Sequence, residues 1–317
     1  MPSRLSLLAV AAASVLALTG CTTSADGGET GALRVVASTN VYGQLAAEIG
    51  GDRVEVTSVI DSTAKDPHGY EASARDRLAV QKADLVIENG GGYDAFMREL
   101  IDGSDAVVIT AAEFSHDYPD AVVDDHDDHD DHADGHEGHA HIEGFNEHVW
   151  FDVHTVAHVA EQIAADLTEL DPTGEAEYTA AAETLAGGLE GIEGELDALH
   201  ETLEGTPVFI TEPLPAALAA AAGLDDLAPD GFASAVEEGN EVAPAILLES
   251  LSLVEGGGVR AVLANAQTGG TETSRIEDAA NDAGIPVITF HELLSPDQSY
   301  AEWMRSAISD LAAALDG

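Results

Sequence analysis

From residue 33 the chain alternates short apolar runs with stretches in which apolar residues recur every three or four positions. The runs are rich in Val and Ile, as buried strands are, and they are LRVVAS, VEVTSVI, DLVIEN and AVVIT. The stretches with helical spacing are NVYGQLAAEIGG, EASARDRLAVQKA and YDAFMREL. Strands that alternate with helices predict a largely parallel sheet with helices on both faces.

A long helical region follows in the middle of the chain. HTVAHVAEQIAADLTEL is predicted to end at Asp171-Pro172, and a second helix begins near Glu175. The second helix has apolar positions at helical spacing, among them Leu185, Leu189, Ile192, Leu196 and Leu199. Gly187 and Gly188 weaken its middle. The length of this region would suit a rigid connection between two lobes.

The strand–helix alternation resumes after Gly205. TPVFIT, VRAVLAN and PVITF are predicted strands, and LPAALAAAAG, TSRIEDAANDAG and YAEWMRSAISDLAAAL are predicted helices. The fold class is therefore α/β, with two Rossmann-like lobes joined by a long rigid helix. Ligands of open α/β sheets bind beyond the carboxyl ends of the strands, so the cleft between the lobes is the expected site.

These patterns divide the chain into five predicted segments. They are a lipoprotein signal peptide at 1–20, a flexible tether at 21–32, a first lobe at 33–152, a helical region with the linking helix at 153–203, and a second lobe at 204–317. The first lobe is interrupted by an acidic, histidine-rich loop at about 116–143. That loop has almost no apolar residues, so we expect it to be disordered without a ligand.

The first residues have the pattern of a secretory signal. Arg4 precedes an apolar stretch that ends in Leu18-Thr19-Gly20-Cys21. This ending resembles a bacterial lipobox, which implies cleavage before Cys21 and lipid on its sulfur; the alternative is an ordinary signal peptide with a chance cysteine. The predicted location is the extracytoplasmic face of the cell membrane. Since Cys21 is the only cysteine, disulfides and thiolate ligands are excluded, and any metal must be held by nitrogen and oxygen.

The charge is strongly acidic. Sixty acidic residues stand against 11 Lys and Arg, for a net charge of −49. This balance argues against a nucleic-acid partner, whose phosphates would be repelled. It also opposes compaction in dilute buffer, whereas at about 1 M salt the Debye length falls to about 3 Å and the repulsion fades. A salt-adapted source is our hypothesis for this composition.

Four motifs together resemble one family of proteins. They are KDPHGYE at 65–71, NEHVWFD at 146–152, FITEPLPAALAAAAGL at 209–224 and ITFHELLSPDQSYAEWM at 288–304. In order and spacing they resemble the solute-binding lipoproteins of zinc/manganese ABC importers. The resemblance extends from about Leu33 to the C-terminus, which makes it more specific than any single motif.

The resemblance implies one metal ion between the lobes, held by four side chains. Position by position the ligands fall on His68, His148, Glu212 and Glu292. Zinc-type members often have His at the third position and manganese-type members Glu. The fourth position usually carries Asp, and His291 beside Glu292 keeps an alternative ligand open. Two imidazoles and two carboxylates suit a borderline divalent ion and would neutralise its charge.

Simpler roles exist for the same residues. His68 follows a turn-forming Asp-Pro, and an acid such as Glu212 near a helix start often only favours the dipole. Asp152 and Gln267 are candidates for contacts around the ligands. His154 and His158 lie four apart on a predicted helix and could bind metal at its surface, but we expect them to be solvated.

The resemblance implies a metal-binding component of an importer, with a permease and an ATPase as partners, and a monomer. An enzyme is the first alternative, but the chain has no HExxH, no GxSxG and no GxxxxGK[ST] motif. An extracellular metal buffer or adhesin is the second. We expect Zn²⁺ as the ion, with Mn²⁺ as the alternative: the carboxylates favour manganese, while the histidine-rich loop favours zinc. Six histidines of that loop are expected to be weak auxiliary sites, namely His126, His129, His132, His136, His139 and His141.

Overall fold

The first half of the chain builds one parallel sheet. The computed structural model describes residues 31–63, 65, 67, 69–119, 142 and 144–315. The strands run in the order β2-β1-β3-β4, all neighbours parallel, with the bounds β1 Leu33–Thr39, β2 Val54–Ile60, β3 Leu85–Glu88 and β4 Val107–Thr110. In the register of the sheet Val35 pairs with Val56 on one side and with Leu85 on the other. The central strands β1 and β3 are mostly buried, which explains their continuous apolar runs.

Three helices accompany this sheet, namely α1 Asn40–Gly50, α2 Ala74–Val80 and α3 Phe96–Ile101. Two of them are shorter than the sequence predicts. Helix α2 begins only after Ser73, whose hydroxyl accepts from the Asp76 N–H in a capping box. Helix α3 begins at Phe96 rather than Tyr93, because residues 90–95 form a turn in which Asp94 accepts hydrogen bonds from Asn89 and Gly90.

Two long helices follow, α4 Val153–Leu170 and α5 Glu175–Leu203. Asp171 and Pro172 separate them, as predicted. Helix α5 continues through Gly187 and Gly188 because its apolar stripe, which includes Leu185 and Ile192, is buried in the core.

The second half repeats the architecture of the first. Its sheet has the order β6-β5-β7-β8, again all parallel, with the bounds β5 Thr206–Ile210, β6 Leu224–Asp226, β7 Ala261–Asn265 and β8 Val287–Phe290. Its helices are α6 Ala216–Ala221, α7 Phe232–Glu237, α8 Pro244–Glu255, α9 Thr271–Ala283 and α10 Tyr300–Leu315. The pattern of the sequence predicted every one of these except β6, α7 and α8, which lie in a stretch without clear periodicity.

The two lobes contact each other through the start of α1 and the segment before α10. Asn40 Nδ2 donates to the Leu294 carbonyl at 2.8 Å, and the Leu294 N–H donates back to Asn40 Oδ1 at 3.1 Å. Gln44 Oε1 accepts from the Tyr300 N–H at 3.0 Å. The predicted fold class, two α/β lobes joined by a long helix, is confirmed. Within the described ranges, no helix has the length and apolarity needed to cross a membrane.

Candidate metal centre

Buried polar side chains converge at the carboxyl ends of three adjacent strands of the second sheet. Glu212 lies two residues after β5, Asn265 is the last residue of β7, and Glu292 lies two residues after β8. Because β5, β7 and β8 are neighbours in the sheet, these ends meet at one edge. The side chains of Glu212 and Glu292 are almost completely buried. Buried carboxylates at a strand edge need partners.

The side-chain amide of Asn265 donates hydrogen bonds to both carboxylates. Its Nδ2 donates to Glu212 Oε2 at 2.9 Å and to Glu292 Oε1 at 2.8 Å. The Gln267 N–H donates to Asn265 Oδ1 at 2.9 Å, which fixes the orientation of the amide, and Gln267 Oε1 accepts from the Glu292 N–H at 3.3 Å. One amide group therefore holds two carboxylates side by side, and Gln267 positions both the amide and the backbone of Glu292.

His148 approaches this pair from the segment before α4. Asn146 Oδ1 accepts from the His148 N–H at 3.1 Å and lies 2.8 Å from the ring Nδ1. Asn146 Nδ2 donates to the Pro213 carbonyl at 3.1 Å, so the amide oxygen must face the histidine. This arrangement places the ring proton on Nδ1 and leaves Nε2 as an electron-pair donor.

The Nε2 of His148 faces Glu212 Oε1 at 3.3 Å, and both side chains are fully buried. Two electron-pair donors at this distance repel each other unless a cation lies between or beside them. A proton or a metal ion can fill that role, and the donor types, an imidazole nitrogen and a carboxylate oxygen, are those of non-thiolate zinc sites. The cluster can therefore bind a divalent cation.

The first lobe contributes Tyr93 to the same cluster. Its hydroxyl donates to Glu292 Oε2 at 2.9 Å, so Glu292 is bonded from both lobes. The Tyr93 ring packs against Trp150 with a centroid separation of 4.5 Å and edge-on against His148 at 5.8 Å. These contacts exclude solvent from the ring of His148 and fix its tilt. Sequence reasoning missed Tyr93 because it lay within a predicted helix.

Glu237, the last residue of α7, is a second residue that sequence reasoning missed. Its Oε1 lies 3.8 Å from His148 Nδ1, and one ligand atom each from His148, Glu212 and Glu237 lies within 4.8 Å of the others. These separations are wider than the spacing of about 3.3–3.4 Å between two ligands of one tetrahedral ion, so Glu237 lies beside the donor set without completing it. No local pattern indicates Glu237, since the surrounding stretch lacks periodicity.

Burial and mutual repulsion govern the electrostatics of the cluster. Burial, and next the charge of Glu292, raise the pKa of Glu212 well above its ordinary value, against the hydrogen bond from Asn265. Burial also raises the pKa of Glu147 to about 7, with Glu292 adding to the shift. Several acids in one desolvated site are unfavourable by themselves. A divalent cation would remove both the repulsion and the desolvation penalty.

The remaining predicted site residues have different positions. His291 is exposed, whereas its neighbour Glu292 is buried in the cluster. Asp152 caps α4, where its carboxylate accepts from the His154 N–H at 3.1 Å and from the Thr155 hydroxyl at 2.6 Å. Several predicted residues lie outside the described ones, namely His68, Cys21, His126, His129, His132, His136, His139 and His141.

Comparison with known proteins adds the family context. The model of the family described as ZnuA, zinc-uptake complex component A, periplasmic, matches residues 35–314. The manganese-binding lipoprotein MntA of Halalkalibacterium halodurans is 27% identical over 176 residues, which cover 55% of this chain and 51% of that protein. The chain spans about half or less of the length of the curated relatives it matches first.

Two solved structures extend the comparison to the fold. The periplasmic zinc-binding protein TroA from Treponema pallidum superposes with a TM-score of 0.68 at 17% identity, over 90% of this chain and 99% of that one. The laminin-binding protein Lmb of Streptococcus agalactiae, described as having adhesin and metal-transporting activity, gives a TM-score of 0.69 at 21% identity, over 89% and 99%. At these identities the likeness shows that the fold is shared.

Proposed function

The chain belongs to the ZnuA family of periplasmic zinc-uptake components, and from this premise we propose that it captures a divalent metal ion outside the cytoplasm for an ABC importer. The observation that carries the proposal is the pair of buried electron-pair donors, His148 Nε2 and Glu212 Oε1, which face each other at 3.3 Å. A divalent ion bound to both donors would stabilise this pair, as a proton shared between them also can. A transported ion can therefore bind there and leave again.

The proposed ligands are His68, His148, Glu212 and Glu292. Two neutral imidazoles and two carboxylates would make a divalent site neutral overall, which suits a buried position. The burial of Glu292 and the exposure of His291 favour Glu292 as the ligand from the strand β8. Glu237 lies on the Nδ1 side of His148 and would have to move to become an additional oxygen donor.

Binding would couple the ion to the relative position of the lobes. Glu212 and Glu292 follow strands of the second sheet, whereas Tyr93 follows β3 of the first sheet and bonds Glu292 directly. An ion held on the side of the second lobe would strengthen this bond, because it favours the ionised form of Glu292 as acceptor. The bound state is thus the one in which both lobes contact the site, and a permease could recognise it.

Zinc is the ion we propose. At a site of nitrogen and oxygen donors the Irving–Williams order places zinc above manganese in affinity. The carboxylates of the cluster favour manganese by hardness, and the relative MntA is named for manganese. Manganese is therefore the second candidate, and direct competition between the two ions distinguishes them.

The remaining parts of the proposal concern location and partners. Lipid on Cys21 would anchor the chain to the outer face of the cell membrane, where it would deliver the ion to a cognate permease driven by an ATPase. The histidines at 126–141 would collect ions weakly beside the main site. We propose that the protein acts as a monomer and catalyses no reaction.

Zinc stoichiometry of a truncated protein tests the proposal. A variant that lacks residues 124–141 is stripped with a chelator and titrated with zinc and manganese. The proposal predicts one tightly bound zinc per chain, which His148→Ala abolishes and the surface variant His200→Ala does not. If the truncated protein binds no zinc tightly, the proposed site is wrong; if manganese displaces zinc at equal concentration, the proposed ion is wrong.

A further inference from the structure

A second pair of histidines lies on the exposed face of α4. His154 and His158 are four residues apart, so both side chains project from the same side of the helix. Their Nε2 atoms face each other at 3.3 Å, and the two rings are almost perpendicular, with an interplanar angle of 86°. The side chains are 67% and 46% exposed, so an ion in solution can reach them.

The separation of the two nitrogens fits a shared metal ion. With Zn–N bonds of about 2.0–2.1 Å and a tetrahedral angle, two bound imidazole nitrogens lie about 3.3–3.4 Å apart. The observed separation of 3.3 Å matches this value. Two histidines at this spacing on one helical face are also the arrangement that places two zinc ligands in zinc metalloproteases.

The opposite side of each ring faces a carboxylate. Glu161 Oε2 lies 3.4 Å from Nδ1 of His158, one turn further along α4. Glu193 Oε1, from the neighbouring helix α5, lies 3.7 Å from Nδ1 of His154. A carboxylate on that side favours the proton on Nδ1 and leaves Nε2 as the donor, as in the carboxylate–histidine–zinc arrangement.

Without a metal, a hydrogen bond between the two Nε2 atoms is incompatible with a proton on both Nδ1 atoms. A hydrogen bond between the two Nε2 atoms would need a proton on one of them, and that neutral ring would then turn its Nδ1 electron pair toward a carboxylate. With both protons on Nδ1, two Nε2 atoms that each carry an electron pair lie 3.3 Å apart. A divalent ion between them satisfies all four groups, and water can occupy the positions that remain open.

From this geometry we propose that His154 and His158 form a second, surface metal site for a borderline divalent ion such as Zn²⁺, with Glu161 and Glu193 as positioning residues. The site is independent of the buried cluster, since it shares no residue with it. Having two protein ligands and solvent around it, it binds the ion more weakly than a site with four protein ligands.

Equilibrium dialysis of the full-length protein against buffered zinc tests the number of ions. The double variant His154→Gln/His158→Gln should bind one zinc fewer per chain than the unmodified protein, and each single variant should lose the same ion. His200→Gln is the matched control, because the ring of this exposed histidine of α5 bonds the Ala221 carbonyl and belongs to neither proposed site. An unchanged zinc number in the double variant would overturn the site.

Chemical modification provides a readout that does not depend on substituting His154 or His158. Diethyl pyrocarbonate reacts with accessible imidazoles, and mass spectrometry locates the products. Zinc should slow modification of His154 and His158 together, also in a His148→Ala background, while His200 reacts at an unchanged rate. Glu193→Gln should raise the zinc concentration that gives half-maximal protection by about tenfold, which is the low end of the 10- to 100-fold range for partners of metal ligands. Equal rates with and without saturating zinc would contradict the proposal.

Discussion

The interlobe cluster and the histidine pair on α4 contain the same donor types in opposite surroundings. His148 Nε2 faces Glu212 Oε1 at 3.3 Å with both side chains fully buried, and the α4 histidines face each other at the same distance in solvent. The distances alone do not separate them. Burial does, because only the buried donors carry a large penalty when no cation is present.

The two sites also differ in the contacts that orient their donor side chains. Asn146, Asn265 and Tyr93 bond the buried donors with separations of 2.8–2.9 Å, and they come from three different segments. The surface pair is held by one helix and by two looser carboxylates at 3.4 and 3.7 Å. We therefore expect the cluster to be preorganised and tight, and the surface pair to be adaptable and weak.

The largest expected effect is a difference in zinc affinity between a variant of the buried cluster and a variant of the α4 pair. His148→Ala should weaken the tightest zinc binding by about a hundredfold or more, since it removes a ligand rather than one of its partners. His154→Ala should change that binding by less than about twofold. Competition with a chromophoric chelator measures both affinities. Similar losses of zinc affinity in the two variants would contradict the distinction between a tight buried site and a weak surface site.

The next effect concerns the residue that orients His148. Asn146→Ala removes the acceptor of the Nδ1 proton without removing a ligand, so zinc affinity should fall by about 10- to 100-fold. Asn240→Ala is the control, because the side chain of this exposed asparagine bonds the exposed Glu238 carboxylate, and its backbone bond to the Ala235 carbonyl is kept. The same chelator competition applies, and an Asn146 variant that binds like the control would show that the histidine needs no fixed tautomer.

A substitution that weakens zinc binding at the buried cluster can stabilise the metal-free protein. Glu212→Gln keeps the shape and removes a buried acid, so in the presence of chelator it should raise the free energy of unfolding by about 1–3 kcal/mol while weakening zinc binding. Glu193→Gln, at the exposed pair, should stay within about 0.5 kcal/mol. Chemical denaturation with and without zinc measures this, and a Glu212 variant that is destabilised in chelator would contradict the electrostatic account.

Glu88, a partly buried acid at the end of β3, shows the effect of burial away from the cluster. Burial, and next the charge of Asp94, raise the pKa of Glu88 to about 7, against the hydrogen bond from Thr110. Because the folded pKa is the higher one, the unfolded chain ionises first, and stability is lost as the pH rises from about 4.5 to 7. Glu88→Gln should therefore stabilise the metal-free protein by about 1–2 kcal/mol at pH 8 and by little at pH 4. Denaturation at the two pH values checks this; an equal effect at both would refute it.

The strands that carry the site could be predicted from the sequence, because central parallel strands are rich in apolar residues, as at 208–210 and 261–264. The edge strand β6 could not, since it has three residues and two exposed acids, Asp225 and Asp226. Helices α7 and α8 follow in the same stretch, which has no clear period. Because α7 was not predicted, Glu237 at its end was not identified as a site residue either.

The candidate ligands were identified through the motifs around them and not through local chemistry. His148 and Glu212 lie far apart in the chain, and only the resemblance to a family joined them. The bond from Asn265 to both carboxylates and that from Tyr93 to Glu292 depend on the tertiary path of the chain, so no local pattern could indicate them. The surface pair is the reverse case, because its four-residue spacing was visible in the sequence.

Anomalous diffraction at the zinc edge, from crystals of the protein grown with zinc, tests the central claim most directly. We expect one strong peak at about 2.0–2.2 Å from His148 Nε2 and from the Glu212 and Glu292 carboxylates, and a weaker peak next to the Nε2 atoms of His154 and His158. Zinc peaks confined to surface histidines, with none at the buried cluster, would contradict it.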